Sequence, residues 1–497
     1  MAWSMWKRFI LGGFLVVLLV AAPTATAILM EVDDAIDAFR EPSVAIPDVK
    51  NVLDDVDPGG AQTILVLGSD RRYMDIKAKN PVRSDTIIVV RLDPAKKATA
   101  IMSIPRDLKV DIPGFAPDKI NAAYANGGPK LTVRTVRELL KVPIHHVVNV
   151  NFGGFQRAVN RLGCVYADID RRYFNDNSPP RDSPFNYAVV DLKPGYQKVC
   201  GKDALSYVRF RHLDDDFVRA ARQQEFLRQA KEQIGLGTLF GDREELLRIF
   251  GRYTQTDIAE DNDAAILRLL KLAYESSKNP IREVRFRGSQ APDDDFVEIT
   301  RENLDRTVDE FLALEASDGP RNTKGASAKR PGPKRIQGRG GLAPGLMNAE
   351  REGEDHVLDM ATRLPGLPVY FPKARLRRGA YVERGAVPGE KVPRSYDLYD
   401  RNKNKYRAYR IVLSHGENGQ FYGVQGTTWK APPILDDPTD EVRMRGRTYQ
   451  RYFDGNKIRL IAWKTDNGSY WVSNTLSQKL TNKQMMGIAR SLQRVGE

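Results

Sequence analysis

A chain of 497 residues is too long for one ordinary hydrophobic core, so its length excludes a single small domain and predicts two or three folded units. A hydrophobic content of 41% with 28% charged residues is typical of a soluble globular protein with some unstructured parts. The net charge of +13 leaves nucleic acid, an anionic membrane surface and phosphate-rich substrates open as partners.

The N-terminus predicts export from the cytoplasm. Lys7 and Arg8 precede Phe9–Met30, a run of 22 residues without a charge, and acidic residues follow it. At about 1.5 Å per residue, a helix of this length is roughly 33 Å long and crosses a bilayer core. The basic flank stays inside, so residues 1–30 are predicted to be a cytoplasmic tip and a single transmembrane anchor in the cell membrane. A cleavable signal peptide is the alternative, because Ala25–Ala27 is an A-x-A cleavage site.

The next part of the chain alternates strand and helix patterns. Residues 31–60 form an acidic tether, and residues 61–316 are predicted to be one α/β layered domain. Short β-branched runs predict strands buried on both faces at Thr63–Leu67, Thr86–Leu92 and Thr99–Ile104. Helical patterns occur at Leu131–Leu140, Phe155–Leu162, Phe217–Ile234, Glu244–Tyr253, Asp261–Ser277 and Glu302–Leu314.

The chain contains only two cysteines, Cys164 and Cys200, and both fall in this domain. In an exported protein an even pair predicts a disulfide, which by loop entropy stabilises the fold by about 3 to 4 kcal/mol. Two unpaired buried thiols are the alternative.

The composition changes again after the α/β domain. Residues 317–349 are rich in Gly, Pro, Ser and Ala, with seven basic residues and one acidic residue between Ser317 and Gly345. This composition predicts a flexible basic linker, which outside the membrane faces wall polymer, lipid headgroups or solvent and not nucleic acid. Residues 350–497 are predicted to form a smaller strand-rich α+β domain, whose role no motif indicates. Its predicted elements are strands at Ala408–Ser414, Gln420–Val424, Ile458–Trp463 and Tyr470–Asn474, and a helix at Asn482–Arg494.

Four clusters of arginine and aspartate lie at strand ends or helix starts of the α/β domain. They are Gly68–Asp70, Arg83–Thr86, Ile104–Asp107, and the segment from Tyr207 to Gln224. A single Arg–Asp pair is usually a surface ion pair of small energetic value. Four such clusters at the ends of successive elements favour a functional site, because sites in α/β proteins form there.

The fourth cluster has a predicted geometry. Arg209 and Arg211 are two residues apart and would share one face of a strand. On the helix that follows, Arg219, Arg222 and Gln223 are spaced i, i+3 and i+4 and therefore form one polar patch.

Several guanidinium groups suit a diphosphate, which accepts bidentate hydrogen bonds and carries a high charge. Asp70 and Asp85 would repel a diphosphate unless a divalent ion bridged carboxylate and phosphate oxygens. Mg²⁺ is the predicted ion, with Mn²⁺ as the alternative. This combination is typical of phosphoryl transfer, in which the protein positions groups and neutralises charge.

The motifs, in their order along the chain, resemble the LytR–CpsA–Psr family of cell-wall glycopolymer transferases. The matching segments from Thr63 to Ile234 are ILVLGSD, RSDTIIVVRLD, IPRDLKVDIPG, KINAAYANGG, NFGGF, LSYVRFRH and Asp-x-x-Arg-x-x-x-Gln. The resemblance implies a central mixed sheet flanked by helices. It also implies an enzyme that moves a glycopolymer from a polyprenyl-diphosphate carrier to a peptidoglycan hydroxyl and releases polyprenyl phosphate.

The resemblance implies roles for particular residues. Asp70 and Asp85 would hold the metal, and Gln223 would orient the phosphate end. The residues expected to clamp the diphosphate are Arg83, Arg106, Arg209, Arg211 and Arg219. Of these, Arg106, Arg209 and Arg211 are expected to be catalytic together with Asp107, and either Asp107 or a metal-bound carboxylate would accept the acceptor's proton.

The implied partners are the lipid-linked glycopolymer, peptidoglycan and the cytoplasmic membrane, with no nucleic acid. Two alternatives stay open: a hydrolase that uses water as acceptor, and a non-catalytic lipid-binding scaffold for wall assembly. The sequence departs from the family in the short stretch between Arg211 and Arg219 and in its C-terminal domain.

Overall fold

The computed structural model describes residues 44–57, 59–69, 84–177, 189–210, 216–233, 252–258, 281–291, 296–313, 334–335, 341–382, 393–417, 419–454 and 456–497, with isolated positions between 245 and 272. The predicted transmembrane anchor, Asp70, Arg83 and Arg211 lie outside these residues, as does most of the two helices predicted between 244 and 277. Within the described residues, no helix is both long enough and apolar enough to span a membrane.

A seven-stranded mixed sheet forms the centre of the first region. Its strands are β1 (Val44–Ala45), β2 (Gln62–Ser69), β3 (Ser84–Asp93), β4 (Ala98–Ile104), β7 (His146–Asn151), β12 (Thr254–Thr256) and β13 (Ile281–Val284). The strand order is β1-β12-β7-β2-β3-β4-β13. Strands β2 and β7 are parallel, β3 is antiparallel to both β2 and β4, and β4 is parallel to β13. The sequence prediction of a central mixed sheet is therefore confirmed.

Helices and short strand pairs surround this sheet. The helices are α1 (Ile120–Leu140), α2 (Phe152–Arg161), α3 (Gly201–Arg209), α4 (Asp216–Gln233) and α5 (Arg301–Ala313). The strand pairs are β5 (Lys109–Val110) with β6 (Asp118–Lys119), β8 (Val165–Ile169) with β11 (Gly195–Val199), β9 (Tyr173–Asn175) with β10 (Val190–Leu192), and β14 (Ser289–Gln290) with β15 (Val297–Glu298). The core packs Leu65, Val89 and Met102 of the sheet against Val136 of α1 and Phe311 of α5.

The three strands predicted from β-branched runs are present as β2, β3 and β4. Nearly every described side chain along β2 and β4 is buried, as expected for strands covered on both faces. Helix α1 begins earlier than predicted and contains a kink, where Gly128 has φ 62° and ψ −156°. Only glycine adopts this conformation readily, so Gly128 allows the chain to turn before Pro129 restarts the helix.

The predicted disulfide is confirmed, since Cys164 and Cys200 are bonded to each other. Cys164 directly precedes β8 and Cys200 directly follows β11, whose ends pair through Val165 and Val199. The bridge therefore closes the open end of this strand pair.

The C-terminal region, meaning the described residues from 334 onwards, is built on an eight-stranded sheet. Its strands are β16 (Lys334–Arg335), β20 (Arg394–Tyr399), β21 (Lys405–Ser414), β22 (Phe421–Thr427), β23 (Asp440–Met444), β24 (Arg447–Asp454), β25 (Lys457–Thr465) and β26 (Gly468–Ser473). Two further pairs are β17 (Leu346–Asn348) with β19 (Ala374–Leu376) and β18 (Tyr370–Pro372) with β27 (Leu492–Arg494), and the helices are α6 (Glu350–Thr362) and α7 (Asn482–Arg490).

Two sequence predictions for this region need correction. The predicted closing helix ends at Arg490, because Leu492–Arg494 pairs as β27 with Tyr370–Pro372. The predicted linker is shorter at its C-terminal end, because Leu346–Asn348 pairs with Ala374–Leu376. Lys334–Arg335 also pairs with β23. Backbone pairing to distant strands gives these segments a structure that their composition did not indicate.

The eight-stranded sheet is covered on both faces. One face packs against α6 and α7, with Trp463, Tyr470 and Met485 in the shared core. The other face packs against the first region, where Tyr166 of β8 and Tyr196 of β11 join a buried cluster with Trp471. The two regions are therefore in direct apolar contact.

His356 on α6 gives the C-terminal region a predicted acid sensitivity. Its ring packs on Tyr381 with centroids 5.0 Å apart, and burial lowers the pKa of His356 from 6.5 to about 4, against a smaller opposing effect of Glu352. In the unfolded chain the His356 imidazole binds a proton near pH 6.5, whereas in the folded chain it stays neutral down to about pH 4. The free energy of unfolding therefore falls as the pH drops from 6.5 towards 4. We expect the free energy of unfolding of the wild type to fall by about 2 kcal/mol between pH 7 and pH 4.5 because of His356, and His356→Phe to abolish this fall. Urea unfolding at the two pH values measures it. Equal pH dependence in the variant and the wild type would contradict this assignment.

Candidate functional site

The strands β2, β3, β4 and β7 each begin or end at the same edge of the seven-stranded sheet. The register pairs Ser69 at the end of β2 with Ser84 at the start of β3 and with Asn151 at the end of β7. Ile104 at the end of β4 pairs with Ile87 of β3, so the segment after β4 leaves from the same edge. In the sequence, Asp70 follows Ser69, Arg83 precedes Ser84, and Asp85 follows it. Asp85 belongs to β3, but its side chain lies outside what the structure describes.

Arg106 and Asp107 follow β4 at this edge and form an ion pair with each other. The Arg106 Nε donates to Asp107 Oδ2 at 3.3 Å, and Lys119 Nζ lies 3.6 Å from Asp107 Oδ1. The Arg106 carbonyl accepts a hydrogen bond of 3.1 Å from the backbone N–H of Asn121, at the start of α1. Asp107 therefore holds two cations together, and α1 fixes the backbone of Arg106.

Arg209 reaches the same edge from a helix, which corrects the predicted strand. Helix α3 runs to Arg209, and Phe210 ends it with φ −55° and ψ 136°. The strand prediction used alternation over only four residues, whereas Ala204, Leu205 and Val208 are buried at helical spacing. Arg209 and Arg211 therefore do not share one face of a strand, and Arg211 itself is outside the described residues.

The Arg209 guanidinium lies 4.0 Å from the centroid of the Phe152 ring. Phe152 is the first residue of α2 and directly follows β7, whose end lies at the sheet edge described above. A guanidinium over an aromatic face is held there by a cation–π attraction, and its planar set of N–H donors suits an anion such as a diphosphate. The structure thus places Arg209 beside the sheet edge that also carries Arg106.

Helix α4 supports the end of α3. The Arg222 side chain is fully buried and its Nη2 donates to the carbonyl of Phe210 at 2.7 Å. The Gln223 Nε2 donates to the carbonyl of Val208 at 3.1 Å. Cationic and amide donors are favourable here, because the last carbonyls of a helix have no partner inside it and carry partial negative charge. Arg219, one turn earlier on α4, is also buried.

The predicted site residues therefore fall into three groups. Arg106, Asp107 and Arg209 lie at one sheet edge, and Arg219 and Gln223 lie on the helix that holds α3. Asp70, Arg83 and Arg211 are outside the described residues, and Asp85 is described only through its strand.

A second group of potential metal ligands lies at the opposite end of β7. His146 Nδ1 is 2.8 Å from Asp257 Oδ2, and one ligand atom of Asp261 lies within 4.8 Å of both groups. The ammonium of Lys50 already contacts Asp261 Oδ1 at 2.8 Å, and Asp257 Oδ1 accepts the backbone N–H of Val147. These contacts form a network of hydrogen bonds with one Lys–Asp ion pair, distant along the strand from the edge with Arg106 and Arg209.

Comparison with known proteins assigns the chain to a family. The family model described as the LytR_cpsA_psr family matches residues 32–309, more than half of the 497 residues. The chain belongs to the LytR_cpsA_psr family. The resemblance inferred from the motifs is thereby confirmed, and the C-terminal region lies outside the matched residues.

Several relatives of this chain have names that state an activity. The chain is 36% identical over 176 residues to the polyisoprenyl-teichoic acid–peptidoglycan teichoic acid transferase TagT of Bacillus subtilis strain 168, covering 35% of this chain and 53% of TagT. It is 30% identical over 298 residues to the transferase TagU of Oceanobacillus iheyensis, covering 58% of this chain and 85% of TagU. The solved structure "TagT bound to LI-WTA" is similar over 55% of this chain and 98% of that chain, at 26% identity and a TM-score of 0.40.

Sequence reasoning did not single out several residues that shape this site. Lys119 contacts Asp107, and Phe152 lies under Arg209. Asn121 is buried, and its Nδ2 has no hydrogen-bond partner among the described residues. Lys119 and Asn121 lie in the KINAAYANGG segment, and Phe152 lies in NFGGF. These segments were among the motifs that carried the family resemblance, so the resemblance could have indicated these three residues as part of the site.

Proposed function

We propose that this protein transfers a glycopolymer from a polyprenyl-diphosphate lipid carrier to a hydroxyl of peptidoglycan. The observation that carries the proposal is a LytR_cpsA_psr domain in which Arg106 and Arg209 both lie at one edge of the central sheet. The relatives TagT and TagU are named for transfer of teichoic acid from a polyisoprenyl carrier to peptidoglycan, which supports the same reaction class here.

The proposed chemistry is a phosphoryl transfer. The acceptor hydroxyl oxygen attacks the phosphorus next to the polymer and forms a new P–O bond. The bond from this phosphorus to the bridging oxygen breaks, and polyprenyl phosphate leaves with that oxygen. The proton of the hydroxyl passes to a base, for which the sequence prediction is either Asp107 or a metal-bound carboxylate. Arg106 and Arg209 would bind the diphosphate oxygens and stabilise the charge that develops on the leaving phosphate.

We propose Mg²⁺ as the cofactor, with Asp70 and Asp85 as its protein ligands. Two carboxylates near phosphate oxygens form the oxygen-only donor set that Mg²⁺ prefers. The residues next to them in sequence, Ser69 and Ser84, are paired in the register of β2 and β3, which supports a shared position at the sheet edge. When bound, Mg²⁺ would neutralise phosphate charge.

We propose that the protein is anchored in the cell membrane through residues 1–30 and acts on the outer side. The basic flank before Phe9–Met30 and the disulfide between Cys164 and Cys200 support an exported body in an oxidising compartment. This location would give the site access to lipid-linked substrate at the membrane surface and to peptidoglycan beyond it.

The proposed reaction is testable with purified components. The full chain in detergent is incubated with a short polyprenyl-diphosphate oligosaccharide and peptidoglycan, in Mg²⁺ or in EDTA. We expect oligosaccharide on the peptidoglycan in Mg²⁺ and none in EDTA. Transfer at the same rate in EDTA would contradict the Mg²⁺ proposal while leaving the transfer reaction intact.

Two other outcomes would replace the proposal. Release of polyprenyl phosphate without a peptidoglycan product would identify a hydrolase that uses water as acceptor. Tight lipid binding without any turnover would identify a lipid-binding scaffold.

A further inference from the structure

Helix α4 connects the candidate site to the C-terminal region. Its first half carries Arg222 and Gln223, which hold the carbonyl end of α3 next to Arg209. Its second half contacts Asp454 and Arg459 of the C-terminal region, and the helix also packs against the 3₁₀ turn Pro433–Leu435. The same helix therefore contacts the end of α3 through its first half and residues outside the family match through its second half.

Charged side chains from both regions meet on the second half of α4. Arg228 contacts Glu225 Oε2 at 2.6 Å and Asp454 Oδ2 at 2.9 Å. Arg459 lies 3.5 Å from Glu225 Oε1. Burial raises the pKa of Glu225, but Arg228, Arg459 and a hydrogen bond from Gln229 together outweigh this effect, so the pKa is lowered overall. The carboxylate thus stays charged in a largely buried network, which requires its cationic partners to be held in place.

The same half of α4 is fixed to strand β8. The Gln233 side chain accepts from the Tyr166 N–H at 2.7 Å and donates to the Tyr166 carbonyl at 2.6 Å. One turn earlier, the Gln229 Oε1 accepts from the Asp168 N–H at 2.7 Å. Strand β8 pairs with β11 on its other side, so the two glutamines satisfy its free edge.

A second connection runs through Arg171. Its guanidinium lies 5.4 Å from the ring centroid of Phe210, which directly follows Arg209, and 5.5 Å from the ring centroid of Phe421 in the C-terminal region. It also lies 4.6 Å from the ring centroid of Tyr173. Phe421 therefore supports the segment after α3 through a single intervening side chain.

We propose that the C-terminal region is a positioning part of the transferase and holds the segment that carries Arg209. Asp454 and Arg459 fix α4, whose Arg222 holds the Phe210 carbonyl, while Phe421 fixes Arg171 against the Phe210 ring. The inference rests on the proposed function, because it concerns the geometry of the same diphosphate site. A phosphate clamp depends on guanidinium groups held within a fraction of an ångström, so loss of this support would weaken diphosphate binding.

The experiment uses the full chain in detergent and variants confined to the C-terminal region. Asp454→Asn removes the charge that pairs with Arg228, and Phe421→Leu removes the aromatic face under Arg171. Phe421→Tyr keeps that face. Asp397→Asn is the matched control, because Asp397 pairs with Lys405 on the same sheet but both side chains are about half exposed, at 44% and 57%.

Two measurements are made well below the unfolding transition, with near-ultraviolet circular dichroism to verify that each variant is folded. They are the Kd for geranylgeranyl diphosphate, used as the probe, and kcat/KM for transfer. We expect Asp454→Asn and Phe421→Leu each to weaken binding by about tenfold and to lower kcat/KM similarly, which corresponds to about 1.4 kcal/mol. Phe421→Tyr and Asp397→Asn are expected to stay near the wild-type values.

Each result decides between the two proposals. Wild-type diphosphate affinity in folded Asp454→Asn and Phe421→Leu would overturn the positioning role while the transferase proposal stands. An equal loss in Asp397→Asn would also overturn it, because the effect would then be a general response of the sheet. Diphosphate binding by the wild type without transfer would overturn the transferase proposal, and the Kd series would still test the positioning role. If Asp454→Asn does not fold, the comparison of Phe421→Leu with Phe421→Tyr decides.

Discussion

Replacing Arg209 with alanine is expected to lower kcat/KM for transfer by about a hundredfold to a thousandfold, because one charge-stabilising donor at a reacting group typically contributes that much. The Arg209 side chain lies over the Phe152 ring at the end of α3, and the helix itself is held by buried residues. We therefore expect Arg209→Ala to remain folded. Arg106→Ala should give a similar loss, since Arg106 lies at the same sheet edge. The measurement is transfer of the lipid-linked oligosaccharide at several lipid concentrations.

Arg306 on α5 provides the control for this experiment. Its side chain is 65% exposed, and among the residues that the structure describes it pairs only with Glu302, on the same helix face. Arg306→Ala should keep transfer within about twofold of the wild type, as is usual for exposed ion pairs. Near-normal transfer by folded Arg209→Ala or Arg106→Ala would show that the arginines do not clamp the diphosphate.

Replacing Arg410 with methionine is expected to cost about 3 to 5 kcal/mol of unfolding free energy, because it leaves a buried carboxylate without its cation. The Arg410 side chain is fully buried, with Nη1 at 3.1 Å from Asp168 Oδ1 and Nη2 at 2.9 Å from Ser473 Oγ. Asp168 belongs to β8, so this ion pair joins the C-terminal sheet to the first region. Urea unfolding followed by tryptophan fluorescence measures the loss.

Two further variants separate the ion pair from general effects. Lys405→Met removes the cation of an exposed pair on the same strand and should change stability by less than about 1 kcal/mol. Asp168→Asn combined with Arg410→Met should be more stable than Arg410→Met alone, because the buried charge is then removed from both sides. If Arg410→Met unfolds at the wild-type urea concentration, the two regions are not joined through this pair.

The central strands could be predicted because their signal is local. The β-branched runs that became β2, β3 and β4 are too short for helices and are bounded by turn residues. The disulfide was also predictable, since the chain offers only one pair of cysteines. The site motifs could be recognised because they stand at strand ends, where the backbone order alone brings them to one edge.

The position of Arg209 could not be predicted, because its neighbours fit two periodicities. Val208 and Phe210 alternate with arginines as in a strand, but Ala204 and Leu205 extend an apolar face at helical spacing. The choice between helix and strand depends on the residues before 207, whose position is fixed by the disulfide at Cys200 and by packing against α2. A four-residue pattern does not contain that information.

The contact between the first region and the C-terminal region could not be predicted from the sequence either. Asp168 and Arg410 are 242 residues apart, and each would ordinarily be interpreted as a surface charge. Tyr166, Tyr196 and Trp471 have the pattern of ordinary core residues within their own strands. Only the tertiary arrangement shows that they form one buried cluster.

The most direct test of the proposed function identifies the acceptor of the phosphoryl group. The wild-type protein is incubated with Mg²⁺, lipid-linked oligosaccharide and peptidoglycan in ¹⁸O-labelled water. The peptidoglycan is then digested with lysozyme, and the masses of the released muropeptides are measured by mass spectrometry. The proposed reaction predicts muropeptides that carry the oligosaccharide through a phosphodiester, with no ¹⁸O in that phosphate. Unmodified muropeptides together with a free oligosaccharide phosphate that contains ¹⁸O would contradict it, because water and not peptidoglycan would then be the acceptor.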